Sequence, residues 1–158
     1  MADYPPLDIT PTWRKLNEEM IRLVAYVPED QINWSPRPEL WNFRGILLHI
    51  ASARDQWMST DVKDGEEAPD VWRTVRSKPE IQAAFARTWA RVERFLSDPA
   101  KLDATYSTTY SRDPSEEPED HRGHWIAYHL LEHDLHHRAD IFHYLALLGI
   151  KTPDVGTP

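Results

Sequence analysis

Two histidines four residues apart, His133 and His137, are the first residues in this chain whose type and spacing could do chemistry. On a helix, positions i and i+4 lie one turn above the other on the same face. Extended at steps of three and four, that face carries Ile126, Leu130, His133, His137, Ile141, Tyr144 and Leu148. Both imidazoles thus stand within an otherwise apolar stripe. An imidazole in such a place needs a partner for each ring nitrogen. A divalent metal shared by the pair is one answer, because neutral imidazole is the commonest protein ligand for zinc-like ions.

Spacing alone does not single out this pair. Seven of the eight histidines fall between His121 and His143, and His129 and His133 are also four apart. A stretch so rich in histidine produces such pairs without any metal. His129, His136 and His143 recur at intervals of seven on a neighbouring stripe and read as surface or flanking residues. His129, His133 and His137 cannot share one ion, since eight residues of helix separate the outer two by roughly 12 Å. A third ligand has to come from another element. The one histidine before residue 120 is His49. It lies on the flank of an apolar stripe, where a lone histidine is ordinarily a packed core or boundary residue.

The elements that must position these groups read as four helices. Thr10 and Pro11 form a start signal, a hydroxyl cap followed by a proline at the first helical position. Trp13, Leu16, Met20, Leu23, Val24 and Val27 follow at helical steps, and Pro28 ends the run. Residues 28–42 hold three prolines and are too broken for regular structure, with Trp34 and Trp41 expected to anchor them to the bundle. Asn42 caps a second helix with Phe43, Ile46, Leu47, Ile50, Trp57 and Met58 as its apolar residues. Arg54 and Asp55, on the same helix, read as solvated charges. Residues 59–77 are polar and interrupted by Gly65 and Pro69, with Trp72 expected to cover the bundle end or a pocket mouth.

Ser77 and Glu80 have the spacing of a capping box. Ile81, Phe85, Thr88, Val92, Phe95 and Leu96 then mark a third helix that stops at Asp98 and Pro99. Residues 102–110 alternate loosely, as a short strand or hairpin arm would. The acidic stretch Asp113 to Asp120 reads as a solvated loop, with Asp120 capping the histidine-bearing helix and Gly149 closing it in a left-handed conformation. The fold class is all-α, a four-helix bundle with long connections.

Bulk properties narrow the functions. A chain of 158 residues fits one domain, 1–158, with a substantial core. A net charge of −8 argues against nucleic acid or an anionic membrane as partner. The absence of cysteine removes disulfides, thiolate metal sites and a cysteine nucleophile. The N-terminus lacks the basic start and apolar run of a secretion signal, and no segment is long enough to span a bilayer. A cytoplasmic location is expected.

Two stretches resemble a known family. LWNFRGILLHIASARDQW is similar to the second-helix signature of the DinB-like (YfiT-like) metalloenzyme superfamily, and EHDLHHRADIFHYLALLGI is similar to its C-terminal signature. The resemblance implies a four-helix bundle with a divalent metal held by three histidines, one from the second helix and two from the last. Matched position by position, these are His49, His133 and His137. Ala139 departs from the glycine common after the arginine. Asp140 replaces the commoner glutamine or glutamate, which shortens any reach behind the ligands.

Three histidine ligands leave coordination positions open, the pattern of a catalytic site. Characterised relatives in that family include transferases that use low-molecular-weight thiols. The resemblance therefore implies a metal-dependent thiol transferase or hydrolase acting on a small molecule, with zinc, nickel or iron and a low-molecular-weight thiol as cofactors. Its pocket is expected among Trp41, Trp57, Trp125 and Tyr144. No catalytic residue is assigned; Asp55 and Asp140 are candidate general bases, each more readily structural. Two alternatives stand beside this reading: a non-catalytic bundle with a structural metal, and a small-molecule-binding protein. A di-iron carboxylate site is disfavoured, because paired Glu-x-x-His motifs are absent. A homodimer is expected.

Overall fold

The computed structural model describes residues 8–108, 115 and 117–152. The four apolar stripes become four long helices, α1 (Thr10–Tyr26), α2 (Phe43–Gln56), α4 (Lys78–Leu96) and α6 (Gly123–Leu147). Two short helices, α3 (Val71–Thr74) and α5 (Pro99–Asp103), lie in the connections, and a π-helical turn, Trp57–Asp61, extends α2. Both α1 and α2 pack against α4 and α6, so α2 and α6, the two helices bearing the histidine motifs, are neighbours in a four-helix bundle.

The core explains why the stripes fold this way. All six stripe residues of the first helical segment, Trp13 to Val27, are buried, as are the six of the third, Ile81 to Leu96. Each such large apolar side chain contributes roughly 1.5–3 kcal/mol when removed from water. The helix ends are set by side chains. Asn42 Oδ1 accepts from Gly45 N at 2.7 Å. Ser77 and Glu80 form the reciprocal capping box. Gly149 sits at φ 71° and closes α6 with bonds from its N–H to Ala146 O (2.9 Å) and from Ile150 N to Leu145 O (2.9 Å).

Two expected caps are corrected. Thr10 is already inside α1, with no cap from its hydroxyl; instead its N–H donates to Asp8 Oδ1 at 2.9 Å. Asp120 does not cap α6. It belongs to β2 (Glu119–Arg122), which pairs antiparallel with β1 (Thr105–Thr108), Asp120 standing opposite Ser107. Residues 113, 114 and 116 of the acidic stretch lie outside the described residues. At the start of α6 the chain passes so close to α5 that a Cβ on Gly123 would stand 2.2 Å from Lys101 O, so only glycine fits. The Gly123 N–H is satisfied by Ala104 O at 3.0 Å. This short ribbon is the single sheet among the described residues.

No helix among the described residues is long and apolar enough to cross a membrane.

Candidate metal centre

Helix α2 carries His49 on the flank that faces α6, and α6 presents His133 and His137 one turn apart. The three rings meet. Their centroids lie 4.7 Å (His49–His133), 4.8 Å (His49–His137) and 4.7 Å (His133–His137) from one another, nearly an equilateral triangle. No two rings are stacked, their planes crossing at 57°, 89° and 73°. One nitrogen from each can be chosen so that all lie within 4.8 Å of one another, a group able to hold a metal ion.

The arrangement has an electrostatic consequence. His133 Nε2 and His49 Nε2 are 2.8 Å apart, so one of them must donate a proton to the other or both must turn lone pairs toward a shared cation. His137 Nδ1 is hydrogen-bonded to Asp140 Oδ2 at 3.0 Å, which leaves Nε2 as its nitrogen for the cluster. The shorter reach of Asp140 is enough, because one turn of helix brings it into contact with His137. Burial pushes the His137 pKa down, against the opposing pull of Asp140, and so favours the neutral ring, the form that binds metal.

Behind His133 stands a residue the spacing argument passed over. Asp134 is completely buried. Its Oδ2 accepts from Trp13 Nε1 (2.6 Å) and from Arg54 Nε (3.0 Å) and Nη2 (2.6 Å). Its Oδ1 has no hydrogen-bond partner and lies 3.8 Å from His133 Nδ1, which is likewise buried without one. That separation is too long for a hydrogen bond. A hydrogen bond between the two atoms would be that of a carboxylate supporting a metal-ligating imidazole. Burial acts to raise the Asp134 pKa, but the charge and hydrogen bonds of Arg54, with Trp13, outweigh it and hold the carboxyl below its usual range.

Arg54 and Asp55 correct the expectation of solvated charges, since both are fully buried. Arg54 Nη1 also donates to Asn17 Oδ1 at 2.7 Å. Asp55 accepts from Arg87 Nη1 (2.8 Å) and Nη2 (2.5 Å) and from Arg91 Nη1 (3.1 Å), so its oxygens are committed to ion pairs rather than set toward the histidines as a base.

The expected aromatic lining divides. Trp41 stands at the site, edge-on to His49 (centroids 4.4 Å) and nearly parallel to His137 (6.3 Å). Tyr144 is a buried support: its ring packs on Trp34 and Phe43, and its hydroxyl donates to Trp41 O at 3.0 Å. Trp57 and Trp125 pack on each other and on His129. They are not among the residues around the cavity beside the site. That cavity, about 460 Å³, opens next to His49 and is walled by Trp41 and Trp72, with Ser52 and Gln56 along α2. Trp72 thus lines a pocket mouth, as its isolation in a polar stretch suggested. Ser52 and Gln56 had a readable signal, lying one and two turns beyond His49 on the same flank.

Three comparisons with known proteins bear on this geometry. A family model described as the DinB superfamily matches residues 12–141. Among solved structures, a DinB-like protein from Bacillus subtilis superposes with a TM-score of 0.69 at 15% identity, covering 93% of this chain and 96% of that one. A DinB-like protein from Bacillus cereus gives 0.70 at 14% identity, covering 92% and 93%. At such identities the superpositions speak for the fold alone. No curated protein matches the chain.

Proposed function

The chain belongs to the DinB superfamily, and from that premise we propose that it is a metal-dependent enzyme acting on a small molecule, as a thiol-dependent transferase or a hydrolase. The observation that carries the reading is the triangle of imidazoles from His49, His133 and His137 at the edge of a cavity. The group offers three nitrogen ligands and, among the described residues, no fourth protein ligand, which is the donor set of an open catalytic site rather than a closed structural one. Zinc, nickel and iron all suit imidazole ligands.

The chain's own residues would divide the work. His49, His133 and His137 would hold the ion, with Asp140 fixing the tautomer of His137 and Asp134 standing behind His133. Trp41 shields two of the three rings from solvent. A divalent ion held there supplies Lewis acidity, lowering the pKa of water or of a low-molecular-weight thiol.

The test loads the protein in turn with zinc, nickel and iron(II) and follows loss of free thiol from glutathione, cysteine and 2-mercaptoethanol in the presence of an electrophile, alongside ester hydrolysis. Turnover that requires metal and disappears in His137→Ala is the expected result. Rates equal to those of His137→Ala with every metal would remove the enzyme reading.

A further inference from the structure

The cavity beside His49 restricts what can reach the three histidines. Its two large walls, Trp41 and Trp72, meet edge to face with centroids 6.0 Å apart and remain 43% and 42% exposed. Exposed tryptophan on both sides of a hollow is apolar surface that an occupant would cover. The volume, about 460 Å³, is that of a small-molecule site.

Both walls are held by bonds to their own backbone. Tyr144 donates to Trp41 O. Arg44 Nη2 donates to Trp72 O at 3.0 Å, and its Nε and Nη2 donate to Val75 O at 3.2 and 2.7 Å. Arg44 thereby braces both α3, at Trp72, and Val75, the residue that follows it. Walls fixed before binding spare a ligand the entropy of ordering them.

The charge pattern is equally restrictive. The residues around the cavity include no charged side chain; besides Trp41, Trp72 and His49 they are Ser52, Gln56 and small apolar residues. Ser52 Oγ already donates to His49 O at 3.0 Å. Arg44 lies on the other side of the tryptophan pair, with its guanidinium turned to two carbonyls. Unless it reaches an ion held by the histidines, a phosphate, sulfonate or carboxylate entering here would lose water without gaining a counter-charge from the walls, in a protein whose net charge is −8.

Resting on the three-histidine metal site, we propose that this cavity takes an uncharged ligand whose planar apolar part lies against Trp41 and Trp72 and whose polar end meets His49. Gln56 is the side-chain amide at the rim that orients it.

The experiment titrates the whole chain with 2-naphthol and with 2-naphthalenesulfonate by calorimetry, once after chelation and once loaded with zinc. 2-Naphthol binds in both states, and in the chelated protein the sulfonate is weaker by about tenfold or more. Trp72→Ala weakens 2-naphthol by about tenfold, while Trp72→Phe recovers most of the loss. Zinc affinity is the same in all three proteins, which shows that the site itself is intact. The proposal is overturned if 2-naphthol fails to bind up to its solubility, if the sulfonate binds the chelated protein equally well, or if Trp72→Ala changes nothing. Failure of zinc to bind, with 2-naphthol behaving as expected, sinks the metal reading and leaves the apolar cavity standing.

Discussion

His133 and Asp134 are consecutive on α6, yet each belongs to a different polar cluster between α6 and α2. Asp134 meets Arg54, Trp13 and, through Arg54, Asn17, all of them fully or almost fully buried. Every charge in that cluster has an opposite charge or a hydrogen-bond partner supplied by the chain. His133 meets His49 and His137, three groups of the same kind whose nitrogens converge. Three neutral imidazoles can share protons among themselves only in part, because each carries one donor and one acceptor. The first cluster is satisfied as folded except at Asp134 Oδ1. A cation among its acceptors would complete the second, and the unpartnered contact between Asp134 Oδ1 and His133 Nδ1 is where the two clusters join.

That contrast is broken most severely from the charged side. Arg54→Met leaves Asp134 buried without its counter-charge and is expected to cost about 3–5 kcal/mol of stability in denaturant unfolding. A loss below about 1 kcal/mol would mean that solvent reaches Asp134. The same carboxyl sets a pH dependence. Its pKa is depressed in the folded state, so its contribution is present above the unfolded value of about 3.9 and is lost as pH falls through the folded value. Asp134→Asn, if it folds, should flatten that acid limb of the stability curve.

The side chains of the charged cluster also mark where sequence reading stopped. Apolar steps of three and four placed α1, α2, α4 and α6, and Asn42, Ser77, Glu80 and Gly149 marked their ends, because these signals are local. Arg54 and Asp134 are 80 residues apart. Taken singly, each looks like any solvated helix charge. A signal was present all the same: Arg54 falls four after Ile50 and four before Met58, and Asp134 falls four after Leu130, so each interrupts an inward stripe. A charge at such a position has to find a buried partner. The Thr10 and Asp120 caps failed for a different reason. The helix starts one residue earlier than Thr10 would set it, so the Trp13 N–H goes to Ile9 O, and Asp120 is drawn into the ladder with β1 while the Gly123 N–H goes to Ala104 O.

A smaller effect is expected behind His137. Asp140→Ala frees the ring to turn and should weaken metal binding by about tenfold to a hundredfold, with the fold unchanged. An unaltered affinity would show that packing against Trp41 alone orients His137. The smallest effect on stability is expected from His49→Ala. The bundle has its own apolar faces on all four long helices, so unfolding free energy measured without metal should change by less than about 1 kcal/mol. A larger loss would make the imidazole triangle a structural link between α2 and α6.

The most direct test is a metal titration of protein purified without a histidine tag or nickel column and stripped with chelator. The three-histidine account predicts one zinc or cobalt(II) ion per chain, lost in His49→Ala and only weakened in Asp140→Ala. His136, His137 and Asp140 form a second possible group on α6 that does not involve His49. One ion per chain retained in His49→Ala but abolished in Asp140→Ala would place the metal there and contradict the account.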